Sequence, residues 1–176
     1  MKKITKPEHT EHALYYEQYI KDVPDDISVL DQLKNNARLL EKQLLNLTES
    51  QLTVPYAPEK WCIKDVLQHL IDCERIFAYR ALRFARKDRE PLPFFDENAF
   101  AKAACAKDIP LKKLLKEYKT NRAATIALFN NMNAATLKRA GMASNFTMSV
   151  RACAWIICGH ELHHWKVMKE RYPGMS

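Results

Sequence analysis

Glycine is scarce in this chain, with three in 176 residues, and no bias toward disorder or fibrous repeats accompanies it: 47% of residues are hydrophobic and 28% charged. Nowhere do about 18 apolar residues run together, and the amino-terminal MKKITKPEHTEHALYY lacks an apolar stretch. Neither a membrane span nor a signal peptide is therefore expected, and the expected compartment is cytoplasmic. The five cysteines (Cys62, Cys73, Cys105, Cys153, Cys158) are odd in number and show no CxxC spacing. That pattern suits a reducing compartment and argues against a disulfide framework or a cysteine-rich zinc site. Blocks of five or six like charges are missing too. The net charge of +7, from 28 Lys and Arg against 21 Asp and Glu, is spread along helical stretches such as Lys112, Lys113, Lys116 and Lys119. It reads as solvated helix faces, with neither nucleic acid nor a membrane surface as partner.

What is present suffices for one domain, taken here as 1–176. A chain of this length buries roughly 70% of the surface exposed on unfolding, so it needs no metal to fold, and a bound metal would serve function. Prolines punctuate four amphipathic segments, at 26–47, 63–86, 111–132 and from Thr147 or Ser149 to 171. Leu30, Leu33, Ala37, Leu40, Leu44 and Leu47 show the three- and four-residue spacing in the first. At about 22 to 24 residues, each segment is roughly 33 Å long. No segment alternates convincingly with period two. The expected fold is all-α: a four-helix bundle over 25–172, an N-terminal extension (1–24) packed on it through Tyr15, Tyr16, Tyr19 and Ile20, and a short extra helix (96–104) in the second crossover.

Four histidines are placed for chemistry. His160 and His164 are about 40° apart around a helix axis and about 6 Å apart along it, so both can reach one ion; His160 and His163 diverge more, by about 60°. The stripe Cys153, Ile157, His160, His164, Val167 is apolar, as is Cys62, Val66, His69, Cys73, Ile76 on the second helix. Two inward histidines on one helix and one on another can build a metal site in a bundle core. Such residues also occur as ordinary core histidines, and spacing alone divides the two readings about evenly. Three imidazoles suit Zn²⁺, with Ni²⁺, Co²⁺ and Fe²⁺ also compatible, and leave a position open as catalytic centres do.

His160-Glu161-Leu162-His163-His164 also satisfies H-E-x-x-H, the zinc-protease motif. Its surroundings disagree. The metzincin extension needs glycine at 167 and histidine at 170, where this chain has Val167 and Glu170, and the strands of that architecture are not read.

Four stretches carry a family resemblance: YYEQYIKDVP from Tyr15, YAPEKWCIKDVLQHLIDCERIFAYRALRFAR (56–86), PLPFFDENAF (91–100) and SVRACAWIICGHELHHWKVMKERY (149–172). In these the chain resembles the DinB-like (YfiT-like) superfamily of metal-binding four-helix proteins, W-x-I-K-x-V-x-x-H being the most diagnostic piece. The resemblance implies a metal held by His69, His160 and His164, and relatives that include transferases or isomerases dependent on low-molecular-weight thiols such as bacillithiol or mycothiol. Relatives usually have serine at Cys62 and often threonine at Cys73. Cys73, four residues after His69, is either a thiolate ligand or, more in keeping with its type, a small buried packing residue.

The function expected on these grounds is a divalent-metal-binding protein, with one ion (zinc or nickel), that activates a small-molecule thiol toward an electrophile, as an S-transferase, or activates water. A metal-dependent hydrolase and a non-catalytic stress-response module are the alternatives. Asp72 and Glu161 are the candidate catalytic or orienting carboxylates, with surface or capping charges as the alternative. Arg80, Arg83 and Arg151 are candidate anchors for an anionic cosubstrate, with structural pairing to Glu74, Asp96 or Glu97 as the alternative. An apolar outer helix face often makes such bundles dimeric, which leaves a homodimer open to this chain.

Overall fold

A computed structural model describes residues 3–175. In chain order the helices are α1 (Glu17–Ile20), α2 (Val29–Leu44), α3 (Glu49–Thr53), α4 (Ile63–Ala85), α5 (Glu97–Ala104), α6 (Leu111–Asn130), α7 (Ala134–Leu137) and α8 (Val150–Arg171), with a hairpin of β1 (Ala140–Ala143) and β2 (Phe146–Ser149) before α8. The bundle is built from α2, α4, α6 and α8. Both α2 and α4 pack against α6 and α8, so the first and second bundle helices lie on one diagonal of the bundle and the third and fourth on the other.

Local chemistry sets the helix ends. Ser149 accepts the Ala152 N–H at 3.0 Å and starts α8, and Asp96 accepts from Asn98 and Ala99 to start α5. At α4, where Cys62 replaces a good capping oxygen, Asp65 accepts the Cys62 backbone N–H at 2.9 Å. Thr48 and Gln51 cap one another and begin α3, a turn the hydrophobic spacing does not announce.

The hairpin falls in the connection between the third and fourth bundle helices, where the sequence leads to no expected element. Its strands are four residues each, paired antiparallel from Ala140↔Ser149 to Ala143↔Phe146, too short to display a period of two. Ser144 and Asn145, at φ +52° and +68°, make the two-residue connection that matches strand twist. Leu92 clamps the crossover to this hairpin, donating to the Met142 carbonyl at 2.9 Å and accepting from Ser144 N–H at 3.0 Å.

The core is two apolar clusters. One gathers Leu30, Leu33, Phe77, Phe84, Phe129 and Trp155; the other gathers Leu40, Leu67, Leu70, Leu114, Leu115 and Met168. Between them each bundle helix contributes buried polar residues: Asn36, His69 and Glu74, Arg122, and His160 and Glu161. The N-terminal residues lie on α8, with Ile4, Ile20 and Val23 buried and Ile4 accepting the Trp155 indole N–H at 3.3 Å.

Candidate metal centre

In the polar belt, α4 supplies His69 and α8 supplies His160 and His164, and one ligand atom from each lies within 4.8 Å of the others. His160 Nε2 is 3.1 Å from His69 Nε2 and 3.1 Å from His164 Nε2. Two nitrogens bound tetrahedrally at 2.0–2.1 Å from one ion stand about 3.3 Å apart, so the separation suits a shared cation. One nitrogen cannot meet two others with a single proton, whereas a cation satisfies three lone pairs at once.

The imidazoles are held neutral. Burial lowers the pKa of His69 to about 4. Burial, then the neighbouring His69 and His163, lowers that of His164 to about 3. His160 is pushed well below its ordinary value by burial, then by the surrounding histidines. Neutral imidazole is the ligating form. Trp61 covers His69, ring centroids 4.6 Å apart, and Tyr19 stands edge-on to His160 at 5.3 Å. Gly159 permits that approach: a Cβ there would lie 2.0 Å from the Tyr19 carbonyl oxygen.

Cys73 Sγ is 3.6 Å from both ring nitrogens of His69. It therefore rests against the ring and stands outside the ligand group. Its thiol pKa is pushed up by burial, then by Glu97 and Asp72.

Neither predicted carboxylate joins the histidines. Glu161 is 3% exposed and faces α2 and α6, accepting from Asn36 Nδ2 at 3.1 Å, from the Tyr118 hydroxyl and from Arg122 at 3.0 Å. This corrects its surface reading: Glu161 is buried and belongs to the network of Arg122, Tyr118 and Asn36. Arg122 also meets Glu74 in a forked pair, Nε donating to Oε1 and Nη2 to Oε2, both at 3.0 Å. Burial disfavours the Arg122 charge, but Glu161 and Glu74 overcome this and hold its pKa well above the ordinary value. Asp72 accepts from Gln68 at 2.9 Å and lies 3.9 Å from Arg75, which pairs with Glu117 of α6. It belongs to the α4/α6 seam.

The three arginines separate. Arg83 pairs with Asp88 and Tyr79 at the surface end of α4. Arg151 pairs with Glu11 and donates to Thr5 at 2.6 Å, tying the N-terminal residues to α8. Both are corrections to the anchoring role, and their partners are not the acids expected. Arg80 alone of the three lines a cavity of about 200 Å³ that His160 also lines, with Cys73, Tyr19, Phe77, Phe95 and Glu97. Glu97 and Tyr19 escape the sequence reading as site residues. Each lies in a stretch that carries the resemblance, but no spacing rule joins residue 19 or 97 to a histidine of α8. A second cavity of about 270 Å³ opens on the His164 side, past Trp61 and Tyr172.

The family model of the DinB superfamily matches residues 32–168 of this chain. Among solved structures, the fold is similar to that of YfiT from Bacillus subtilis, described as a probable metal-dependent hydrolase with an unusual four-helix bundle topology. The TM-score is 0.67 and the identity 19%, over 91% of this chain and 87% of that one. It is also similar to a mycothiol-dependent maleylpyruvate isomerase, at TM-score 0.65 and 10% identity, over 88% of this chain and 62% of that one. No curated protein matches the sequence. Among the described residues, no helix is long and apolar enough to cross a membrane.

Proposed function

The chain belongs to the DinB superfamily, and on that premise we propose that it is a cytoplasmic metal-dependent enzyme that activates a small thiol for transfer to an electrophile, or activates water, at the three-histidine centre. The observation that carries this reading is the convergence of three neutral imidazole nitrogens beside a cavity that can hold a small molecule. Three uncharged ligands leave a divalent ion with its full charge and an open position, and the ion supplies the Lewis acidity that draws a thiol or water pKa toward neutrality. Zinc and nickel are the ions that suit the set.

The residues around it do the rest. His69, His160 and His164 hold the ion, and Trp61 and Tyr19 shield it from bulk water on two sides. Glu97, exposed at the cavity mouth, is the carboxylate that takes the released proton to solvent, a duty for which Asp72 and Glu161 face the wrong way. Likeness to YfiT over most of both chains supports the water reading, and likeness to a mycothiol-dependent isomerase supports the thiol reading.

Purified protein should carry about one equivalent of divalent metal by mass spectrometry, and His160→Ala should carry none; full metal content in that variant would sink the assignment. A panel of thiols and electrophiles, with and without chelator, then separates the chemistries. Chelator-sensitive turnover that needs thiol supports transfer, turnover without thiol supports hydrolysis, and metal without turnover demotes the chain to a binding module.

A further inference from the structure

Four lysine and arginine side chains are buried among the described residues: Lys64, Arg80, Arg122 and Arg151. Three of them meet carboxylates, Lys64 at Glu49, Arg122 at Glu74 and Glu161, and Arg151 at Glu11. Arg80, 2% exposed, meets none among the described residues. Its Nη2 donates to the Pro93 carbonyl at 3.0 Å and to Ser144 Oγ at 2.9 Å, its charge also acts on the neighbouring Tyr16 hydroxyl, and its buried Nη1 has no hydrogen-bond partner. The rings of Phe77 and Phe95, 5.3 and 5.9 Å from the guanidinium carbon, offset far less than a desolvated guanidinium costs. A buried cation whose orientation is fixed on one side and unmet on the other is arranged for an anion the chain does not supply.

The place of that cation gives the anion its identity. Arg80 and His160 line one cavity of about 200 Å³, walled by Tyr16, Phe77 and Phe95. The hairpin and the crossover place Ser144 and Pro93 against the guanidinium. We propose that Arg80 recognises a carboxylate carried by the substrate, so that this enzyme acts on small organic acids whose apolar part lies against the aromatic wall and whose reactive end faces the histidine centre. The assignment rests on the reading of this cavity as the active site.

Calorimetric titration of the metal-loaded full chain tests it, with benzoate as the anionic planar probe and benzamide as its neutral counterpart. Benzoate should bind at least tenfold more tightly than benzamide, and Arg80→Gln should weaken benzoate at least tenfold with metal content unchanged. In Ser144→Asp a carboxylate arrives beside Arg80 from the chain itself, at a left-handed position that Asp tolerates. That variant should lose benzoate binding and gain in melting temperature, and it decides the matter should Arg80→Gln fail to fold. Equal binding of the two probes, no binding of benzoate, or undiminished binding in either variant overturns the proposal. Benzoate affinity that chelator abolishes and Arg80→Gln does not change assigns the carboxylate to the metal, which removes this subsite and leaves the metal reading standing. Arg80-dependent binding in protein that takes up no metal does the reverse.

Discussion

A single step along α8, about 100° of rotation, separates His160 from Glu161, and the two side chains serve different halves of the polar belt. The histidine turns to α4 and its partner imidazoles; the glutamate turns to Arg122, Tyr118 and Asn36. The H-E-x-x-H spelling therefore arises here from two histidines of the candidate metal centre and a glutamate of the Arg122 network that happen to be adjacent. Replacing Glu161 with Gln keeps the volume and removes the charge, leaving Arg122 to Glu74 alone. Loss of one partner in a buried ion network costs about 3 kcal/mol, or roughly 6 to 12 °C in melting temperature for a chain of this size. Glu161→Gln should show that loss in thermal unfolding while retaining its equivalent of metal. An unchanged melting point with abolished turnover would return the glutamate to a catalytic role.

At the scale of elements, α1 and α8 approach closely where Gly159 lets the Tyr19 backbone lie against the helix next to His160. Alanine would favour the helix by up to about 1 kcal/mol, but its Cβ would sit 2.0 Å from a backbone oxygen, and overpacking typically costs about 1–3 kcal/mol. The clash wins because the backbone carbonyl cannot rotate aside as a side chain would. Gly159→Ala should lower the melting temperature by several degrees and speed amide exchange in residues 15–20; unchanged exchange there would show that α1 does not depend on this contact. Helix α2 was legible because it buries one stripe, with Leu30, Leu33, Leu40 and Leu44 recurring at that period, whereas α8 is buried all round from Val150 to Glu161 and shows in the sequence as a long apolar stretch. The histidine triplet was legible only when the His160–His164 spacing was joined to the family resemblance, since the spacing alone divided the readings about evenly. The hairpin was not, since four-residue strands show no period and its turn uses Ser-Asn rather than a glycine pair. The partners of Arg80, Arg122 and Arg151 were not either: Arg151 meets Glu11 across 140 positions, and which acid meets which arginine is settled only when helices pack.

For the molecule as a whole, two apolar clusters of ordinary size hold the bundle, and the three imidazoles sit in the belt between them at a cost that depends on pH. Below the ordinary histidine value of 6.5, the unfolded chain binds protons that folded His69 refuses until about pH 4 and His164 until about pH 3. The unfolded state then holds more protons, so stability falls as pH drops through that window and is fully present above it. Each such histidine contributes a slope of up to about 1.4 kcal/mol per pH unit. A metal held by the proposed centre would act in the same direction, because it would bind only the folded, deprotonated triplet: at a hundred times its dissociation constant it would add roughly 2.7 kcal/mol, about 5 to 10 °C. Chelated protein at pH 7.5 should therefore still unfold cooperatively, at a lower temperature than the loaded form, and should weaken steeply between pH 6.5 and 4.5. His164→Gln should flatten that slope and erase the metal-induced rise. A chelated protein with no cooperative transition at pH 7.5 would mean that the ion is part of the fold, and an unaltered slope in His164→Gln would mean that other groups carry the acid sensitivity.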